Sequence, residues 1–339
     1  MLNRISNFLQ LAGLTWFVPM VKMASGENPR QQLKELWQIM GIPVIAFLVF
    51  LLLWGQGASK VVTSLGSIPG PIAVWHETQA LWQDHKAQRE KAQAFYERLK
   101  ARNEKKLAKN PDAKVKWRTY TGKPTYIDQI ITSLQTVFMG FVLATVVAVP
   151  LGIFCGLSPL VNAAFNPIIQ IFKPVSPLAW LPIVTMVVSA TYITGDDEAW
   201  FSKSFLNSAI TVTLCSLWPT LINTAVGVSS IDKDLMNVGR VLQLNWFTKV
   251  TKLVLPSSLP LIFTGLRLSL GVGWMVLIAA EMLAQNPGLG KFVWDEFQNG
   301  SSHSLGRIMV AVLTIGIIGF LLDRIMLTLQ NLFTFSDKR

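Results

Sequence analysis

From Gln129 to Phe172 the chain runs for 44 residues without one Asp, Glu, Lys or Arg. A bilayer-spanning helix needs about 20 apolar residues, so this run exceeds one span, and Gly156-Leu157-Ser158-Pro159 marks where it breaks. Further charge-free runs cover Leu36 to Ser59, Ser204 to Ile231 and Leu253 to Leu266. In hydrocarbon every backbone N–H and C=O must be satisfied within the segment, which leaves helices as the solution for runs of this length. The chain is therefore expected to be an all-α polytopic membrane protein with about six transmembrane helices. Composition agrees: 51% of the 339 residues are hydrophobic and 14% charged, with a mean hydropathy of +0.42.

The formal charge of +11 is local. Glu77 to Lys123 holds 13 Lys/Arg against 6 Asp/Glu, a net +7, leaving +4 for the rest of the chain. A nucleic-acid partner is not implied. This charged piece, from His76 to Lys123, is rich in helix formers, with Glu90, Glu97 and Glu104 spaced at sevens among basic residues. It reads as a solvated helix ending before Asn110-Pro111. Cys155 and Cys215 sit in apolar runs, with neither disulfide nor metal site suggested. Met1 to Lys34 never forms a compact apolar core followed by small residues, so the first span is expected to be an uncleaved anchor.

Lys/Arg bias and span alternation divide the chain into 1–38, a cytoplasmic lead-in, 39–60, the first transmembrane helix, and 61–128, an extracytoplasmic loop carrying the charged helix. The remaining spans occupy 129–329, and 330–339 is a cytoplasmic tail. Those spans are Ile130 to Cys155, a third entered at Asn166, Phe205 to Val228, Leu261 to Leu283, and Leu305 to Leu322, cut by Asp323-Arg324. The stretch from Lys173 to Pro182 packs three prolines into nine residues and must bend. Thr194 to Lys203, with Asp196, Asp197 and Glu198, reads as an acidic outer loop, and Gln285 to His303 as an outer loop or re-entrant segment. Both termini are expected on the cytoplasmic side.

No P-loop accompanies Gly122-Lys123 or Gly290-Lys291, and the three histidines form no Ser-His-Asp or metal spacing. No catalytic residue, cofactor or metal is expected. Ionisable residues inside spans are functional candidates by default, and two stand out, Arg267 and Glu281. They lie roughly 21 Å apart along one helix and cannot pair with each other. Arg267 reads either as a strut tying its span to the neighbouring loop or as an anion-attracting residue at the inner mouth. Glu281 is expected to find a structural partner on another helix.

A charged interruption, Asp232 to Pro260, must leave the membrane, and its Lys/Arg excess puts it on the cytoplasmic face. Leu235, Val238, Val241 and Leu242 recur at helical spacing, and Pro256 is expected to stop the helix. Two short helices outside the membrane result, within 229–260. The segment resembles the EAA loop of ATP-binding-cassette importer permeases: Asn237, Val238 and Gly239 stand at the Glu-Ala-Ala places, Gln243 at the turn glycine, and Leu253, Leu255 and Pro256 close the pattern. With Gln243 at the glycine position, Asn245 is expected to take the left-handed conformation instead. The resemblance implies that this loop, with Leu242 in its apolar stripe, docks on a cytoplasmic ATPase. An amphipathic helix resting on the membrane surface is the alternative.

Lys173 to Pro182, Leu217 to Val228, Phe263 to Gly271 and Pro287-Gly288-Leu289-Gly290 through Glu296 are similar to the nitrate/nitrite-type permeases, in a group that also takes up taurine, alkanesulfonates, cyanate and bicarbonate. The resemblance implies a type I importer transmembrane domain in a bacterial inner membrane, a homodimer on two ATPase subunits, fed by an extracytoplasmic substrate-binding protein. Neutral donors that could pass an oxyanion are Ser133, Ser176, Trp180, Thr220 and Asn223, with Arg267 adding charge. A self-sufficient secondary anion carrier is the rival class, but it calls for coupling carboxylates or inverted repeats in the spans.

Overall fold

The structure, a computed structural model, describes residues 17–24, 29–58, 60–63, 66–110, 115, 117–192, 201–301 and 303–335. The expected acidic loop at Asp196, Asp197 and Glu198 lies outside these residues, as does most of the lead-in. The described helices are α1 (Val18–Ala24), α2 (Arg30–Ala58), α3 (Pro71–Lys109), α4 (Tyr126–Leu157), α5 (Pro159–Phe172), α6 (Pro177–Thr191), α7 (Lys203–Ser229), α8 (Lys233–Val241), α9 (Trp246–Ala284), α10 (Leu289–Asn299) and α11 (Ser304–Phe335). A two-residue antiparallel pair, Val62–Thr63 with Gly66–Ser67, turns the chain between α2 and α3. The fold is all-α. Five helices (α2, α4, α7, α9 and α11) are long and apolar enough to cross a membrane, and six spans result when the bent pair α5–α6 counts as one.

Helix starts follow local chemistry. Thr125 and Asp128 close a capping box at α4, in which Asp128 Oδ2 accepts from the Thr125 N–H at 3.0 Å. Ser158 and Ser176 cap α5 and α6, each with a proline in the first turn, where its missing N–H costs nothing. Between those two helices the chain bends by 102°, in the proline-dense stretch where the sequence demands a bend. Charged α3 ends at Lys109 with Asn110 extended, as the following proline dictates.

Two expected interruptions are absent. Pro256 does not stop a helix: α9 runs from Trp246 to Ala284 through both Pro256 and Pro260. A π turn at Val250–Val254 precedes the proline, with the Leu255 N–H bonding the Val250 carbonyl. The wider turn lets donor-less Pro256 open a fresh α segment. Nor does Asp323-Arg324 cut the last helix, since α11 continues to Phe335. Asp323 is neutralised within the fold by Arg267, and Arg324 lies 5.0 Å from the Phe320 ring centroid.

The most buried span is α7, held between α4 on one side and α9 on the other. Small residues make that approach possible. Gly140, Ala144, Ala148, Gly152 and Gly156 recur every fourth residue along α4. On α9 a methyl at Gly265 would meet Thr220 Cα at 2.9 Å and the Pro219 carbonyl at 3.0 Å. In lipid, where apolar burial gives helices no special affinity for each other, such close backbone contact is what drives association. Hydroxyls finish the seam: Thr220 and Ser269 share a hydrogen bond of 2.7 Å, and Thr213 reaches the Gly140 carbonyl at 3.1 Å. Trp274 donates to the Ile315 carbonyl at 2.9 Å and ties α9 to α11. By contrast α2 keeps Phe47, Leu48, Leu52 and Leu53 exposed and touches the rest mainly through α3.

Candidate functional site

Opposite ends of the α4–α7–α9 bundle carry different chemistry. At the end where α7 finishes, Asp232 caps α8 by accepting the Asp234 N–H at 3.0 Å. Ile231 and Met236 then pack on Ile153, Val228, Val250 and Val254, which pins one face of α8 to the bundle. Leu244 N–H bonds the Gly239 carbonyl at 3.1 Å and Gln243 N–H the Arg240 carbonyl at 3.0 Å, with Gln243 at φ 48°. This is a Schellman stop with a left-handed glutamine. The expected left-handed residue was Asn245; it is instead extended and caps the start of α9, accepting the Thr248 N–H at 2.8 Å. Asparagine's carbonyl is more useful as a cap acceptor, and glutamine bears the strain because the turn must close one residue after Leu242.

Turned away from the bundle, this hairpin presents Val238, Val241, Leu242, Trp246 and Phe247, with Val241 81% and Phe247 68% exposed. Gly239 faces inward, where a methyl would meet Leu253 Cδ1 at 2.8 Å. Asn237 and Gln243 are exposed, whereas Leu253, Leu255 and Pro256 are partly covered. Trp246 stacks on Phe154 of α4 with ring centroids 5.6 Å apart, so the stripe is fixed in direction.

The six residues named as oxyanion donors do not converge on one point. Ser133 is fully buried at the opposite end, donating to Glu281 Oε1 and Oε2 at 2.9 and 2.8 Å. The same carboxylate accepts the Gly290 N–H at 3.0 Å, Ser133 Oγ accepts the Leu289 N–H at 2.9 Å, and Asn286 bonds Thr136 at 3.1 Å. Glu281 thus has its partner on another helix, together with the N-terminus of α10. Thr220 is bound to Ser269, and the Asn223 amide donates to the Pro219 carbonyl at 2.8 Å. Arg267 makes a two-pronged pair with Asp323 at 2.5 and 2.8 Å. Ser176 and Trp180 sit at the α5–α6 bend, where Trp180 packs on Phe172.

Sequence reasoning missed Asn286, Asp323 and Arg307. Arg307 lies 3.2 Å from Glu296, 3.5 Å from Glu77 and 3.8 Å from Asp84, and His303 Nδ1 lies 2.6 Å from Glu77. These pairs fasten α3 and α10 each to the start of α11. Arg89 adds a pair with Asp128. The signal available was Arg307 just inside an apolar run, facing acids on a helix that otherwise looked detached.

The family model described as binding-protein-dependent transport system inner membrane component matches residues 148–334. This chain belongs to that family. The matched segment holds α5 through α11 and therefore the hairpin, while α3 lies outside it. Among curated relatives, the nitrate import permease protein NrtB of Leptolyngbya laminosa is 38% identical over 58% of this chain and 64% of its own length. NrtB of Synechococcus elongatus is 35% identical over 58% and 66%. This chain thus spans just under two thirds of the length of these two relatives. The bicarbonate transport system permease protein CmpB of Synechocystis sp. is 33% identical over 91% of this chain and 94% of its own length, α3 included.

Proposed function

We propose that this chain is the non-catalytic permease subunit of an ATP-driven importer for a small oxyanion, nitrate or nitrite above all. The observation that carries the reading is the hairpin: Val238, Val241, Leu242, Trp246 and Phe247 stand exposed on a rigid turn at the end of the spans. Exposed apolar patches of this kind mark a partner's seat. That partner is a separate ATPase chain, one on each copy of a homodimer, and an extracytoplasmic substrate-binding protein delivers cargo at the α3 end. Closure of the ATPases on ATP moves the docked hairpins and shifts the permease between inward- and outward-open states. The coupling residues are Asn237, Val238, Gly239, Leu242, Gln243, Leu253, Leu255 and Pro256. Both termini lie in the cytoplasm, and the membrane is a bacterial inner membrane.

The names of the NrtB relatives support nitrate as cargo. Bicarbonate is the second reading, supported by the CmpB relative that aligns through α3 as well as the spans. The experiment is uptake of labelled nitrate and, separately, bicarbonate into proteoliposomes holding the permease, ATPase and binding protein, with and without ATP. Nitrate uptake that requires both ATP and the binding protein is expected. Flux without either would make the chain a self-sufficient carrier.

A further inference from the structure

The bend between α5 and α6 falls near the middle of the span. Phe165 and Ile169 of α5 pack with Ala144 and Ala148 of α4 and with Leu217 and Leu221 of α7. Phe172 stacks on Trp218 with centroids 6.4 Å apart and planes within 6°, and tilts against Trp180 at 5.6 Å. At 1.5 Å per residue, Trp218 lies about 22 Å from the start of α7 and about 17 Å from its end. The bend is therefore held beside the midpoint of the most buried helix.

Two polar features there have no partner among the described residues. Lys173, the first residue of the bend, is exposed on the surface of this chain and, among the described residues, has no carboxylate within ion-pair distance. The indole Nε1 atoms of Trp180 and Trp218 are buried without an acceptor. A lysine near mid-membrane and a buried donor without an acceptor are each costly to keep unless a partner or ligand meets them. Arg267, the cation that sequence reasoning chose, is already neutralised by Asp323.

We propose that Lys173, Trp180 and Trp218 form the station at which the oxyanion crosses the middle of the membrane, an inference resting on the importer reading above. The ammonium supplies the one positive charge. The two indole N–H groups supply neutral donors from α6 and α7, and the Phe172 ring between them fixes their planes. One cation and two neutral donors attract a weakly basic planar anion without caging it, which a transit site requires. A proline-rich bend suits the role, because it exposes Lys173 at a depth where a continuous helix would carry an apolar residue.

The test uses the whole importer in proteoliposomes, reading ATP-driven uptake of labelled nitrate and ATP hydrolysis in the same vesicles. Lys173→Gln should lower uptake at saturating nitrate about tenfold, equivalent to about 1.4 kcal/mol of barrier, while ATP hydrolysis persists. Lys173→Arg should restore most of it. Trp180→Phe with Trp218→Phe keeps an aromatic ring at each place and removes the N–H groups together with part of each indole ring, so a similar loss is expected from a complex that still assembles by size exclusion and melts near the parent. Wild-type uptake by Lys173→Gln, or by the double Trp variant, overturns the station and leaves the importer reading standing. If the unaltered complex hydrolyses ATP but moves no oxyanion, the importer reading itself fails and takes the station with it.

Discussion

At one end of the bundle charged groups are matched; at the other, apolar ones are left unmatched. Near α10 the Glu281 carboxylate is fully buried yet accepts from Ser133 and Gly290, and Arg307 gathers Glu296, Glu77 and Asp84. At the hairpin, five large apolar side chains face outward with only Trp246 stacked on a neighbour. The difference separates a lock from a seat. The Glu281 carboxylate, paired with Ser133 and the Gly290 N–H inside the fold, serves to hold α4, α9 and α10 in one arrangement. An exposed stripe on a capped turn is rigid but incomplete, which is what a docking surface requires.

The contrast is broken most completely by sidedness. A cysteine at Ala101 on α3 should react with an impermeant maleimide added to intact spheroplasts, and one at Asn245 should stay unlabelled until the membrane is opened. Labelling of Asn245 alone would invert the orientation of both ends.

Next in size is the lock. Glu281→Ala leaves the Ser133 hydroxyl and the Gly290 N–H buried without their acceptor, at about 1–3 kcal/mol each. Gly290 closes tightly on this group: a methyl there would meet Glu281 Cβ at 2.9 Å. The variant should melt well below the parent in detergent, read by fluorescence-detected size exclusion, and Glu281→Gln should fall between the two. An unchanged melting temperature for Glu281→Ala would remove the lock from the account.

The seat should respond differently. Phe247→Ala deletes an exposed ring that touches little in this chain, so melting should hardly move. Its hold on the ATPase should weaken by about 2 kcal/mol, or roughly thirtyfold, if the ring is an interface anchor. Co-purification of ATPase at the parent's yield across a salt and dilution series would count against docking there.

What the residues alone revealed follows the range of the forces involved. Spans were legible because hydrocarbon excludes charge over whole runs, as from Gln129 to Phe172, and the end of α3 because a proline acts on its immediate neighbour. The stripe on α8 was legible from helical period. What escaped was set at long range: Ser133 and Glu281 are separated by 148 positions and Arg267 and Asp323 by 56. Asp323 read as the end of a span only because its cation lay on another helix. Pro256 read as a stop because a π turn, which depends on the packing of Val250 and Val254, has no local sequence signature. The left-handed Gln243 escaped for the opposite reason, since local preference favours asparagine and the Schellman closure overrode it.

The smallest expected effect decides which of its two readings Arg267 has. Each partner of the Arg267–Asp323 pair keeps over a third of its side-chain exposure in this chain, so breaking it should cost about 1–2 kcal/mol, less than for a fully buried pair. Arg267→Met alone strands Asp323 in a span, and Asp323→Leu alone strands Arg267; each should lower melting by a few degrees. The double variant removes both charges together and should recover most of the loss, since a pair replaced by apolar groups of similar size is often neutral. Uptake then separates the roles. The expected strut ran to the coupling loop, whereas Arg267 pairs with Asp323 and ties α9 to α11; if that strut is its role, the double variant should import nitrate near the parent's rate once its melting is restored. If the guanidinium also draws the anion, uptake should stay low although stability has returned, because no repacking replaces a missing charge. The bidentate geometry favours the strut: with Nε and Nη2 both committed to one carboxylate, the pair is nearly neutral to a passing anion, and recovery of uptake is the expected result.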